Sequence, residues 1–141
     1  MKILILCTGN SCRSQMAEGF LKKIDPSLKV FSAGTDPAEN VHPVAIKVMS
    51  ELDINISANR PKSVSQFIGE EWDFVITVCG NAEENCPVFT GKVAKRLHIG
   101  FSDPAKANGT PSFIESEFRR VRDEISAKFT QFYNSSVKPA L

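Results

Sequence analysis

The run Lys2-Ile3-Leu4-Ile5-Leu6 is apolar at consecutive rather than alternate positions, a pattern suited to a strand covered on both faces. It ends at the turn signal Cys7-Thr8-Gly9-Asn10, and from Ser14 the spacing of Met16, Ala17, Phe20, Leu21 and Ile24 predicts a helix. Asp25-Pro26 closes that helix, because a residue before proline avoids the helical region. Leu28 to Ser32 reads as a short second strand closed by Ala33-Gly34, and Val44 to Leu52 as an amphipathic helix. Asp73 to Val78 reads as a third buried strand ending at Cys79-Gly80, Val93 to Ile99 as a weaker fourth, and Ile114 to Tyr133 as a long amphipathic closing helix. Helices between successive strands predict an α/β domain with a four-stranded parallel sheet and helices on both faces.

The 141 residues suffice for one core and not for two ordinary domains, so residues 1–134 are expected as one domain and 135–141 as a tail, with Asn134 to Leu141 frayed. Pro104 to Ser112 reads as a loop. Seventeen basic residues balance sixteen acidic ones with no basic stripe, which argues against a nucleic-acid partner. No apolar run approaches the roughly 20 residues of a membrane span, and no small-residue cleavage site follows the first strand. A cytosolic protein acting as a monomer is the expectation. In that compartment the four cysteines are expected as reduced, reactive thiols rather than two structural disulfides.

The strongest chemical signal is Cys7-Thr8-Gly9-Asn10-Ser11-Cys12-Arg13-Ser14, a cysteine at a strand's carboxyl end followed after five residues by an arginine that opens a helix. Backbone N–H groups of Thr8, Gly9, Asn10, Ser11, Cys12, Arg13 and Ser14, with the helix N-terminus, make a concave nest for a tetrahedral oxyanion. Arg13 adds a bidentate fork for two of its oxygens. The positive surroundings, with a hydrogen bond from Ser14, favour a thiolate nucleophile at Cys7. Gly9 is expected to supply the positive φ that a nest needs, with Asn10 the next most permissive position. The plainer alternative is a strand-to-helix turn that merely contains Cys and Arg.

Two further cysteines stand at Cys79, just after the third strand and so at the same sheet edge as Cys7, and at Cys86 beyond the polar stretch Gly80 to Asn85, which is free to loop or rearrange. A phosphoryl hydrolase needs one nucleophile and water, whereas a two-electron reduction needs a thiol to attack the enzyme-bound adduct and another to resolve the disulfide. Alternatively, Cys79 and Cys86 are a buried small residue and a surface thiol, or two ligands of a zinc site. Zinc lacks a matching Cys-x2-Cys or His pair, since His42 and His98 stand alone.

With Cys-x5-Arg-Ser in this place, the chain resembles the low-molecular-weight protein tyrosine phosphatases and the arsenate reductases that share their fold. Cys79 and Cys86, together with Ser11 to Gly19, Ser32-Ala33-Gly34 and Phe118 to Ile125, resemble the thioredoxin-coupled arsenate reductases over nearly the whole chain. The resemblance implies that Cys7 attacks arsenic and that Asp103, in an Asp-Pro pair like the superfamily's general-acid motif, helps hydroxide or water leave. It implies further that Cys79 attacks Cys7 to release arsenite, that Cys86 attacks Cys79, and that thioredoxin reduces the final disulfide; glutaredoxin-coupled relatives also exist. Asp-Pro is equally an ordinary turn starter. Phosphatases of this fold place aromatic residues after Asp-Pro, where this chain has Ala105-Lys106. A tyrosine phosphatase and a non-catalytic oxyanion-binding or regulatory domain are the alternatives.

No cofactor is implied. Some relatives bind potassium behind the loop; Asn10, Glu18 and Ser32 match their ligands, but the fourth position falls near Lys62, whose ammonium competes with a cation, so no metal is expected. Cys12 is read as support, Trp72 and the phenylalanines around Phe118, Phe129 and Phe132 as packing, and His42 and His98 as turn or packing residues. The charges from Glu115 to Glu124 read as a solvated helix face.

Overall fold

Ile3 to Leu6 are wholly excluded from solvent in the computed structural model, which describes residues 1–141. They form β1 (Lys2–Cys7), the inner strand expected from their unbroken apolar run. α1 (Arg13–Ile24) follows, then β2 (Lys29–Gly34), α2 (Pro43–Ser50), β3 (Trp72–Thr77), α3 (Gly80–Asn85), β4 (Val93–His98) and α4 (Pro111–Phe132). The four strands make one parallel sheet in the order β2-β1-β3-β4, as expected for the α/β class.

That order has a consequence for the site. From β1 the chain steps to β2 on one side, then returns past β1 to place β3 on the other. Right-handed crossovers in opposite directions put the connecting segments on opposite faces, so the carboxyl ends of β1 and β3 border a crevice where the winding reverses. Cys7 ends β1, and Cys79 follows β3 by two residues. The topology alone brings these two thiols to one edge.

β4 gave the weakest strand signal because it is an edge strand whose outer positions are charged. Lys95 and Arg96 are exposed along it, as befits an edge that must not pair with another chain. The polar stretch after Cys79 is not a loop but α3, with the Cys79 sulfur as its N-cap acceptor and Cys86 at its far end. Only Ala82 of α3 is buried. In Pro104 to Ser112, Pro104–Lys106 form a short 3-10 turn and α4 begins at Pro111 on a Thr110 cap.

Asn134 to Leu141 are not frayed. A π turn over Tyr133–Val137 and a 3-10 turn over Lys138–Ala140 continue α4, with Val137 fully buried and the Tyr133 hydroxyl donating to Asp25 Oδ2 at 2.8 Å. The charged stretch of α4 also departs from a purely solvated face. Arg120 pairs along the helix with Glu117 and Glu124, but Arg122 is buried and donates to Val48 O at 2.9 Å and Glu51 Oε1 at 2.8 Å, clamping α4 to the end of α2. Hydrogen bonds from Arg119, and then Arg122, hold the Glu51 carboxyl down at about 2.

Trp72 packs edge-on against Phe31 and Phe67, and Phe129 and Phe132 pack with Phe74 and Phe101, so these aromatics are core as expected. His42 caps α2 by accepting from Val44 N–H through Nδ1 and lies 4.7 Å from the Phe118 ring, and burial pushes its pKa down. No helix is long and apolar enough to cross a membrane.

Candidate active site

The loop after β1 is shaped by where its carbonyls go. The N–H groups of Thr35, Asp36, Ala38 and His42 donate to the carbonyls of Cys7, Thr8, Gly9 and Ser11 at 2.9 to 3.1 Å. Asn10 O accepts from Gln15 Nε2 at 3.1 Å, and Cys12 O from Met16 N–H at 2.9 Å. Carbonyls held outward leave the amides of the same peptides to turn inward, which is how a nest for an anion is built. The segment after β2 therefore lines the back of the loop, a partnership that no side chain announced.

The positive φ falls on Asn10, at 51°, and not on Gly9 as expected. Asn10 tolerates it because its own side chain is fully engaged: Oδ1 accepts from Lys62 N–H at 3.0 Å and Gln15 Nε2 at 3.2 Å, and Nδ2 donates to Ser14 Oγ at 2.8 Å. The glycine that the loop requires is Gly34, at the end of β2. A Cβ there would stand 2.3 Å from Thr8 O and 3.1 Å from Asn10 N. Gly34→Ala should accordingly lower stability by about 3 kcal/mol and weaken anion binding together; urea unfolding and phosphate titration measure the two, and a variant unchanged in both would mean the loop has room to shift.

Cys7 is buried, with Sγ 2.9 Å from Ser14 Oγ and 3.2 Å from Asn10 N–H. Arg13 reaches the same space from the first turn of α1. Its Nη1 donates to Phe101 O at 3.1 Å, its Nη2 lies 3.6 Å from Asp103 Oδ2, and its buried Nε has no protein partner. Such an orphaned charged donor points to an anionic ligand. Asp103 Oδ1 caps the following turn by accepting from Ala105 N–H at 3.0 Å. The turn-starter and site readings of Asp-Pro thus coexist in one residue.

Cys7, Arg13, Cys79 and Asp103 line one open cleft of about 550 Å³, with Thr8, Gly9, Ser11 and Cys12 from the loop and Asn81 from α3. Cys79 Sγ is 3.4 Å from Thr8 Oγ1 and accepts from Ala82 N–H at 3.4 Å. Cys86 is not in this cleft. It is half-buried on the other side of α3, in a separate cavity of about 270 Å³ with Glu83, Arg96 and His98. Burial pushes the Cys86 thiol up while Arg96 opposes it. All four cysteines are free. Cys12 lies inside the loop with its thiol pushed up to about 12, chiefly by burial, with Asp103 and Cys7 adding to the effect. It therefore keeps its proton at neutral pH.

Behind the loop, Glu18 is buried and accepts from Ser32 Oγ at 2.7 Å and Lys22 Nζ at 2.9 Å. The Lys22 ammonium thus pairs with the carboxylate, while burial lowers the pKa of Lys62 and the nearby Glu18 charge raises it. No trio of His, Cys, Asp or Glu is placed to hold a metal. Sequence reasoning gave no role to Thr35 and Asn81, which act through hydrogen bonds across the cleft and belong to no motif, and none to Gln15, which lies within the resembling segment Ser11 to Gly19 and holds the loop through Asn10.

Residues 2–140 match the family described as low molecular weight phosphotyrosine protein phosphatase. An arsenate reductase of Halalkalibacterium halodurans is 47% identical over 131 residues, covering 92% of this chain and 93% of that protein. A solved arsenate reductase in its phosphate-binding state superposes with a TM-score of 0.79 at 30% identity, over 94% of this chain and 96% of that one. A thioredoxin-dependent arsenate reductase of Corynebacterium glutamicum gives a TM-score of 0.66 at 28% identity, covering 95% of this chain and 60% of that one.

Proposed function

This chain belongs to the low molecular weight phosphotyrosine protein phosphatase family, alongside its arsenate reductases, and from that premise we propose that it reduces arsenate to arsenite through Cys7, Cys79 and Cys86 in turn, with thioredoxin as reductant. The observation that carries the reading is the second thiol in the oxyanion cleft. Cys79 faces the Cys7 loop across the Thr8 hydroxyl, where phosphate-ester hydrolysis has no use for it. The thioredoxin dependence of the Corynebacterium glutamicum relative favours that reductant.

The loop amides and Arg13 bind arsenate, and the Cys7 thiolate attacks arsenic while Asp103 supplies the proton with which hydroxide leaves as water. The Cys79 thiolate then attacks Cys7 Sγ. A sulfur–sulfur bond forms, the sulfur–arsenic bond breaks, and its electron pair stays on arsenic, which leaves as arsenite. Cys86 attacks Cys79 Sγ next, and Cys7 departs as thiolate. A protein dithiol finally reduces the Cys79–Cys86 disulfide.

This last exchange demands a change of shape. Cys79 and Cys86 stand at opposite ends of α3, about 10 Å apart along its axis at 1.5 Å per residue. A disulfide needs Cα atoms within about 7 Å, so α3 must unwind when Cys86 attacks. One-residue burial and a polar sequence make that inexpensive.

The test is arsenate-dependent NADPH oxidation coupled through thioredoxin and thioredoxin reductase. Wild type is expected to turn over. Silence there, combined with efficient hydrolysis of an aryl phosphate that survives loss of Cys79 and Cys86, would make the chain a phosphatase. Arsenate bound and released unchanged would make it an oxyanion-binding domain.

A further inference from the structure

We propose that Asn81 is a positioning residue that latches α3 closed while Cys79 is a thiol, and that the single hydroxyl proton of Thr8 releases this latch when Cys79 ionises. The inference rests on the reading of Cys79 as nucleophile and adds how its ionisation is coupled to movement of the helix it begins.

Asn81 Oδ1 accepts two hydroxyl hydrogen bonds, from Thr8 at 3.2 Å and from Thr35 at 3.1 Å. These tie the first turn of α3 to the oxyanion loop and to the segment that backs it. Little else does, since Ala82 is the one buried residue of α3. Beside the 3.6 Å contact of Glu83 with His98 on β4, the two hydroxyl bonds are the side-chain ties that keep the helix in place.

Thr8 Oγ1 is also 3.4 Å from Cys79 Sγ, and a hydroxyl has one proton to give. While Cys79 carries its proton, the thiol can donate to Thr8 and Thr8 to Asn81. When Cys79 loses its proton to solvent, the thiolate is acceptor only, and a hydrogen bond to charged sulfur outcompetes one to a neutral amide. Thr8 then turns its proton to Cys79, and Asn81 keeps Thr35 alone. Activating the nucleophile thus loosens the helix that must later unwind to bring Cys86 in. A helix still latched, conversely, holds back ionisation, because beyond the Ala82 N–H the thiolate must take its second donor, the Thr8 hydroxyl, from Asn81.

The charged and titratable groups sharing the cleft with Cys79 are Cys7 from β1, Cys12 and Arg13 at the start of α1, and Asp103 and Lys106 after β4, while Glu83, on α3 itself, lines the separate cavity of Cys86. All are retained in the variants below, so differences among these proteins report on the hydroxyl. The experiment is the pH profile of Cys79 alkylation by iodoacetamide, resolved by peptide mass spectrometry, with amide exchange of residues 83–86, in arsenate-free protein. Asn81→Ala should move the profile toward acid by about half a pH unit and speed exchange roughly tenfold. Thr8→Val, which leaves the thiolate the Ala82 N–H but removes its hydroxyl donor, should move the profile toward alkali. Thr35→Val should speed exchange while leaving the profile in place, since it loosens α3 without touching the shared proton.

A midpoint is independent of how accessible the thiol has become, so loosening alone does not imitate the shift. If Asn81→Ala moves the profile no further than Thr35→Val, or leaves exchange at the wild-type rate, the latch is wrong. Because no arsenate is present, that failure is distinct from failure of the relay, which coupled turnover reads.

Discussion

Cys86→Ser should release about one arsenite per enzyme and then stop, whereas Cys79→Ser should release none. The asymmetry follows from the two cavities. Cys79 lies in the oxyanion cleft with Cys7, so the step that expels arsenite needs no residue from the far side of α3. Cys86 lies in its separate cavity, and in the proposed order it enters only afterwards to free Cys7. Steady-state turnover with thioredoxin should fall by roughly 10³ or more in both variants, because neither regenerates the starting thiolate. Quenched single-turnover arsenite measurement separates them, and mass spectrometry should find a Cys7–Cys79 disulfide in spent Cys86→Ser. Equal bursts from both variants would remove Cys79 from the chemistry and sink the assigned order.

Arg13→Lys should cost roughly 10²- to 10³-fold in kcat/KM for arsenate while the fold survives. The guanidinium does three things from one plane. Nη1 is anchored on Phe101 O, Nη2 faces Asp103, and Nε stays buried without a protein partner, ready for an anion. A lysine ammonium keeps the charge but not the fork. It cannot hold Phe101 O and Asp103 while offering a further donor to the oxyanion in the same plane. Thermal unfolding should remain close to wild type, and the loss should appear in both kcat and KM. A fall of less than about threefold would mean that the loop amides alone orient the substrate.

How far the residues revealed this in advance depended on range. The unbroken apolar run of β1 and the 3.6-residue spacing of α1 are local, and both elements stand where they were expected. Cys7, Arg13 and Cys79 were legible as site candidates from strand ends and residue chemistry, and Asp103 through the family resemblance of its Asp-Pro pair; the four line one cleft. Gly80 to Asn85 misled because its residues are polar and its N-cap is a cysteine, which carries no ordinary capping signal. Gly9 was the natural choice for a left-handed residue, but long-range bonds from Lys62 and Gln15 stabilise Asn10 there instead. Arg122 reads as one charge among many until α2 arrives to bury it. The outward turn of the loop carbonyls was invisible for a deeper reason: main-chain bonds to Thr35, Asp36, Ala38 and His42 require no particular side chain.

Those main-chain bonds also limit what the site can discriminate. Amide donors held in a fixed ring recognise negative charge and tetrahedral shape, properties in which phosphate and arsenate scarcely differ. Selectivity must then arise after capture. Phosphorus offers the waiting thiols no accessible lower oxidation state, so bound phosphate can only leave again, while arsenic can accept an electron pair and depart changed. Abundant phosphate becomes a reversible competitor rather than a substrate, and the price of a backbone-built grip is time spent occupied by the wrong ion.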